Sequence, residues 1–217
     1  MRTSHDFDSY YKSPDPWQIA KASRRDKALA AIVTPYTAGK SVLELGCGEG
    51  HLTGLIFSNA KAVKGVDISP IAISRAAAHG LRNASFVTAD FLDISFAGYD
   101  VIAAIECLYY LAPAEQEAFF RKLEIEHQGL FVLSGPIIGS NEYRTYFKHD
   151  SVIETFRRHG LSVVEWRNLN AYRKAGYAAT AAAAACRLPF GDRLVPFLPE
   201  RFVYQRCYIA RLGDPNI

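Results

Sequence analysis

The sequence predicts an α/β protein, a doubly wound and mostly parallel sheet with helices on both faces. Three observations carry that expectation. From Lys40 onward, short β-rich runs alternate with helical stretches. Three of those runs, 41–45, 62–66 and 99–105, are nearly continuously apolar, as strands covered on both faces must be. Pro70 and Pro113 each fall at the first turn of a predicted helix, where the missing N–H would go unused.

Taken in order, residues 1–17 are polar, aromatic and proline-punctuated, and read as an arm before the core. Residues 18–33 carry Ile19, Ala22, Ala28, Leu29, Ile32 and Val33 at helical spacing, with Pro35 and Gly39 ending the helix. Strands follow at 41–45, 62–66, 85–88, 99–105 and 130–133, separated by helices at 51–59, 70–79 and 113–124. Beyond Pro136 the pattern changes: 136–148 is turn-rich and aromatic, 151–159 is a helix closed by Gly160, and 161–166 is a sixth strand. Residues 168–202 form an excursion with an alanine run, which favours helix, and three prolines. Residues 203–212 alternate as a last, seventh strand, and there is no internal repeat. The whole reads as one domain over 1–217, with 1–35 as an N-terminal arm and helix acting as a lid and 168–202 as an inserted cap.

Bulk properties narrow the partners. Hydrophobic residues make up 49% of the 217 and charged ones 22%, the balance of an ordinary globular domain. Lys and Arg (25) exceed Asp and Glu (22) by three, with no basic run, so neither a nucleic-acid nor a membrane partner is expected. The basic pair Arg24 and Arg25 reads as a solvated helix face. The N-terminus has no apolar leader and no window is long enough to span a bilayer. Cys47, Cys107, Cys186 and Cys207 form no CxxC pair, so the expectation is a reduced, cytoplasmic chain without a metal site. The oligomeric state is not legible.

The strongest chemical signal is ELGCGEG at 44–50, after an apolar strand and before a helix. Three alternating glycines let the backbone turn sharply and approach a ligand without a Cβ in the way. The spacing is GxGxG, and His51 stands where the dinucleotide fingerprint requires its third glycine; no Walker lysine follows. The loop therefore suits a nucleoside-bearing cofactor better than a pyrophosphate, and a nicotinamide oxidoreductase is disfavoured.

Carboxylates recur at the next strand ends. Asp67, in VKGVDIS, can accept from both ribose hydroxyls or cap the helix at Pro70, where Ser69 is the better cap. Asp90, in TADF, can accept from an adenine amino group while the Phe91 backbone reads the ring edge, or simply close a turn. Glu106 follows five apolar residues and emerges at the top of a buried strand. A buried carboxylate is costly, so it must meet a cation or hydrogen-bond donors, either the cofactor's amino group or a substrate amine.

With ELGCGEG, VDIS, AD and IECLYYL in this order, residues 41–134 resemble the core of class I methyltransferases. SPDPW at 13–17 and ECLYYL at 106–111 make the stretch from about residue 10 similar to the nodulation N-methyltransferase family, which methylates an amino sugar. The resemblance implies a Rossmann-like seven-stranded sheet whose last strand is antiparallel. It also implies S-adenosyl-L-methionine as cofactor, released as S-adenosyl-L-homocysteine. Carried over by position, Glu44, Gly46, Cys47, Gly48, Asp67, Ile68, Asp90, Phe91 and Glu106 would surround that cofactor. Tyr11 and Trp17 would belong to a lid over it; Trp17 reads equally as docking the arm on the core.

The expected chemistry is methyl transfer to a small molecule, most simply an amine, with a small-molecule O-methyltransferase and a non-catalytic cofactor-binding module as the alternatives. An amine must lose a proton to attack. Candidate groups are Glu106, Tyr11 and His149, together with Tyr10, Tyr109, Tyr110 and Tyr146; His149 reads equally as a surface histidine, and some of the tyrosines as core aromatics.

Overall fold

The structure, a computed structural model, describes residues 4–138, 147–171, 176–186, 188 and 191–213. Seven strands form one sheet: β1 (Ser41–Leu45), β2 (Ala62–Asp67), β3 (Ala84–Thr88), β4 (Val101–Ile105), β5 (Leu130–Pro136), β6 (Leu161–Ala171) and β7 (Val203–Leu212). Their order across the sheet is β3-β2-β1-β4-β5-β7-β6. β1 to β5 pair in parallel, and β7 runs antiparallel to both β5 and β6. The expected doubly wound sheet with an antiparallel last strand is the sheet observed.

Alternation along the strands sorts side chains to two faces, and both are buried. Leu43, Leu45, Ile102, Ala104, Phe131 and Leu133 enter one core, with Phe119 and Phe120 of α5 (Pro113–Glu126) and Phe156 of α6 (His149–Arg158). Val42, Val101, Ala103, Ile105 and Val132 enter the other, with Leu29 and Val33 of α2 (Arg24–Thr37) and Ile56 of α3 (His51–Ile56). This is why β1 and β4 read as continuous apolar runs: each successive residue meets a helix layer. The sheet's two faces are close-packed with apolar side chains.

The boundaries that differ most from expectation are those of α2 and β6. The helix expected over 18–33 starts at Arg24 and runs to Thr37, carrying Pro35 in its last turn. Ser23 sets the start: its Oγ accepts from the Asp26 N–H, and the Asp26 carboxylate accepts from the Ser23 N–H. Gln18 has φ +56°, which no helix accommodates. β6 runs on to Ala171, with register shifts at Val163/Glu165 and around Asn170. A short helix α1 (Ser4–Tyr10) precedes the arm, α4 (Pro70–Ala78) follows β2, and the alanine run lies in α7 (Tyr177–Ala185). Among the described residues no helix is long and apolar enough to cross a membrane.

Candidate functional site

The chain order reverses between β1 and β4, the position at which open α/β sheets hold their ligands. A cavity of about 210 Å³ opens there, at the carboxyl ends of both strands. Its floor is the glycine loop. Gly46 and Gly48 have φ +65° and +55°, the left-handed region in which a side chain is strained. A Cβ on Gly46 would lie 2.6 Å from Cys107 Cβ, and one on Gly48 would lie 2.9 Å from the Tyr11 hydroxyl. The loop can make this turn only as glycine.

Of the residues the sequence singled out, Glu44, Gly46, Cys47, Gly48 and Glu106 line the cavity, as do Tyr11, Trp17 and Tyr109. Asp67, Ile68, Asp90 and Phe91 do not. Asp67 is buried and accepts from two backbone N–H groups, Gly48 at 2.9 Å and Ser69 at 2.9 Å. It thereby ties the glycine loop to the start of α4, which Ser69 caps. Asp90 accepts from the Leu92 N–H, and Phe91 packs edge-on to Phe119. His149 does not line the cavity either. Its Nδ1 meets the Tyr208 hydroxyl at 3.0 Å, its ring lies against Trp166 and Tyr208, and burial lowers its pKa. Tyr146 lies outside the described residues.

Glu106 is the chemically distinctive group. It has φ +55°, a conformation rare outside glycine and enriched at functional sites. Ser134 Oγ donates to its Oε1 at 3.1 Å, Gln205 Nε2 donates to its Oε2 at 2.7 Å, and Arg25 Nη1 stands 3.6 Å from Oε1. Burial raises its pKa, and Arg25, Gln205 and Ser134 pull it back. Glu44, beneath the loop, accepts from Thr53 Oγ1 at 2.5 Å, and burial pushes its carboxyl up to about 8.

Sequence reasoning missed Arg25. Read as part of a solvated face, it instead turns inward: its side chain is 18% exposed and its Nη1 is buried without a hydrogen-bond partner. Arg24 takes the outward position and donates to the carbonyls of Cys186 and Leu188 beyond α7. Gln205 was also missed, since it stands beside Arg206 in a strand of mixed polarity.

The arm is fastened to the loop through Glu49. Its Oε2 accepts from the Asp15 N–H at 2.7 Å, and its Oε1 pairs with Arg75 at 2.6 Å; Arg75 also donates to the Ser13 carbonyl. His51 Nε2 lies 3.3 Å from Glu49. Asp15, Glu49 and His51 offer ligand atoms within 4.8 Å of one another, but the carboxylate oxygens already accept N–H groups, those of Asp15 from Ile19 and Ala20. The group is a latch. Above it Trp17 packs on Tyr10 and Tyr11. Among the described residues of 168–202 none lines the cavity; Asn168 and Arg206 hold that segment to the sheet through the Val195, Pro196 and Leu198 carbonyls and Glu200.

Comparison with known proteins agrees with this geometry. Residues 42–124 match a family described as a methyltransferase domain. Nodulation protein S of Azorhizobium caulinodans is 27% identical over 169 residues, covering 72% of this chain and 79% of that protein. A ubiquinone biosynthesis O-methyltransferase of Paraburkholderia phytofirmans is 36% identical over 84 residues, and the match spans about a third (35%) of each chain. The solved structure of the N-methyltransferase NodS of Bradyrhizobium japonicum WM9, in complex with S-adenosyl-L-homocysteine, superposes with a TM-score of 0.70 at 18% identity. It covers 99% of this chain and 100% of that one, a likeness of fold.

Proposed function

We propose, from the premise that this is a class I S-adenosylmethionine-dependent methyltransferase resembling nodulation protein S, that it methylates the nitrogen of a small-molecule amine, such as an amino sugar. The observation that carries this reading is Glu106, a buried carboxylate held by donors on the cavity wall in a strained backbone conformation. Asp15 and Glu49 also line the cavity, against Arg25, so the lining favours a cationic guest.

The residues present fit the cofactor. Arg25 Nη1 is a buried donor without a partner and suits the carboxylate of the methionine part. Glu106 suits an ammonium, whether the cofactor's or the acceptor's. The glycine loop admits a ligand where a Cβ would collide. Asp67 shapes the loop from below, where its carboxylate accepts from the Gly48 N–H. Bound there, S-adenosyl-L-methionine supplies an electrophilic methyl on a sulfonium.

The chain's own residues then orient and deprotonate. Glu106 holds the acceptor amine and takes its proton; the new bond is N–C, the broken bond is C–S, and S-adenosyl-L-homocysteine leaves. A carboxyl raised by burial is the better proton acceptor near neutral pH. Tyr11 and Trp17 roof the cavity and exclude water, with residues 1–35 as the lid, in a cytoplasmic enzyme. Of the three candidate catalytic residues, Glu106 and Tyr11 face the cavity and His149 packs elsewhere.

A second reading, O-methylation, is favoured by the shared core with the ubiquinone O-methyltransferases. A panel of amines, phenols and carboxylates, read by S-adenosyl-L-homocysteine release, tests both. Turnover on amines that falls at least a hundredfold in Glu106→Gln is expected. Turnover on phenols alone, or an undiminished Glu106→Gln enzyme, overturns the amine reading.

A further inference from the structure

We propose that Asn170 and Gln205 are positioning residues whose side-chain amides form a one-way hydrogen-bond relay that fixes Glu106 as an acceptor on the cavity wall. Asn170 Nδ2 donates to Gln205 Oε1 at 2.6 Å, and Gln205 Nε2 donates to Glu106 Oε2 at 2.7 Å. A primary amide has one donor end and one acceptor end. With its oxygen taken by Asn170, Gln205 can only present N–H to Glu106, and Glu106 can only accept. The sheet provides the alignment: Asn170 is paired with Gln205 across β6 and β7, and the register shifts on either side of it re-aim its side chain. Gln205 is itself buried and sits opposite Pro136 of β5. The Asn170 Oδ1 is buried without a partner, so its donor end alone is engaged.

This inference rests on the reading of Glu106 as the carboxylate that meets the amine. The other groups facing Glu106 are Ser134 from β5, Arg25 and Asp26 from α2, Cys107 beside it in the chain and Cys207 from β7. Burial and Asp26 push its proton affinity up, and Arg25, Gln205 and Ser134 lower it. The two cysteines are themselves pushed up by burial and stay neutral. Gln205 has its polarity set by Asn170, which does not itself touch Glu106.

Asn170→Asp tests the relay, because it keeps the shape and removes the donor. The aspartate takes the Gln205 N–H, turns the amide, and offers Glu106 a carbonyl, which Glu106 can meet only by carrying a proton. The readout is the titration of Glu106 in protein carrying ¹³C-carboxyl glutamate, with the resonance assigned by Glu106→Gln and folding checked by thermal melts. The expected midpoint rises by about one pH unit or more, tenfold in proton affinity, in Asn170→Asp and in Gln205→Leu. Asn170→Ala gives a smaller rise. In the Gln205→Leu background Asn170→Asp adds less than threefold, since the amide that transmits it is gone. An Asn170→Asp protein that titrates as wild type overturns the relay, as does an equal shift with and without Gln205, which marks a through-space charge. The titration needs no acceptor, so a wrong acceptor class leaves it standing. Conversely, loss of the relay leaves the Glu106→Gln turnover result unaffected.

Discussion

The Tyr11 hydroxyl stands 2.9 Å from the point at which a Cβ on Gly48 would lie, so the N-terminal arm and the glycine loop are fitted to each other and not merely adjacent. Tyr11 is buried beneath Trp17, and its hydroxyl faces Asp67, Cys47 and Glu49, which with burial hold it firmly protonated. The arm therefore meets the glycine loop with a neutral hydroxyl among carboxylates.

Gly48→Ala is expected to cost about 1–3 kcal/mol, from the left-handed backbone and the collision together. For a domain of this size that corresponds to a fall in Tm of roughly 2–10 °C. Combining it with Tyr11→Ala recovers the collision and leaves the backbone strain. Calorimetric melts of the four proteins check this, and equal costs in both backgrounds would sink the contact.

Arg25→Met is expected to weaken S-adenosyl-L-homocysteine binding by about tenfold or more, because a charge-assisted bond contributes about 1.5–3 kcal/mol. Arg25→Lys falls between, keeping the charge without the planar fork. Titration calorimetry reads both. Unchanged affinity in Arg25→Met removes Arg25 from the cofactor site.

Without cofactor, stability is expected to fall as pH rises from about 5 to about 8. Glu44 titrates near 4.5 when unfolded, and burial raises it to about 8 in the fold. Between those values the folded chain holds the extra proton, so its contribution is complete below the lower value and lost through the upper one. Glu44→Gln keeps an acceptor for Thr53 and flattens the slope, leaving a residue from Asp67 and Glu106, which burial also raises. Urea midpoints across that range measure it; a wild-type slope in Glu44→Gln contradicts the assignment.

Arg75→Ala is expected to loosen the arm without unfolding the core. Arg75 bridges Glu49 and the Ser13 carbonyl, and its loss leaves Glu49 buried without its cation. Trypsin cleavage at Lys12 and Lys21 is expected to accelerate several-fold, while the melt of the core shifts by only a few degrees. Cleavage at the wild-type rate would show that the arm is held by its aromatics alone.

The sheet was legible because burial on both faces leaves a mark that one chain can display: β1 and β4 have no polar residue to spare for solvent. The glycine loop was legible for a related reason, since only glycine fits at Gly46 and Gly48. The start of α2 was also written in the chain, as Ser23 and Asp26 three apart, but the apolar spacing of Ile19 and Ala22 masked it. What could not be read was pairing across the sheet. Periodicity ends β6 at Trp166 and does not say that the strand runs on, with a register shift, to bring Asn170 beside Gln205. Arg25 failed for the same reason, because its partner lies eighty-one residues away at Glu106.

The antiparallel strand has a consequence for how the chain comes off the ribosome. β7 follows β6 in the chain, yet it lies between β5 and β6, so β6 emerges before the strand it pairs with and waits. The same late strand carries Gln205. A nascent chain that has reached Ala171 has its glycine loop and Glu106 but not yet the Gln205 amide from which Glu106 accepts.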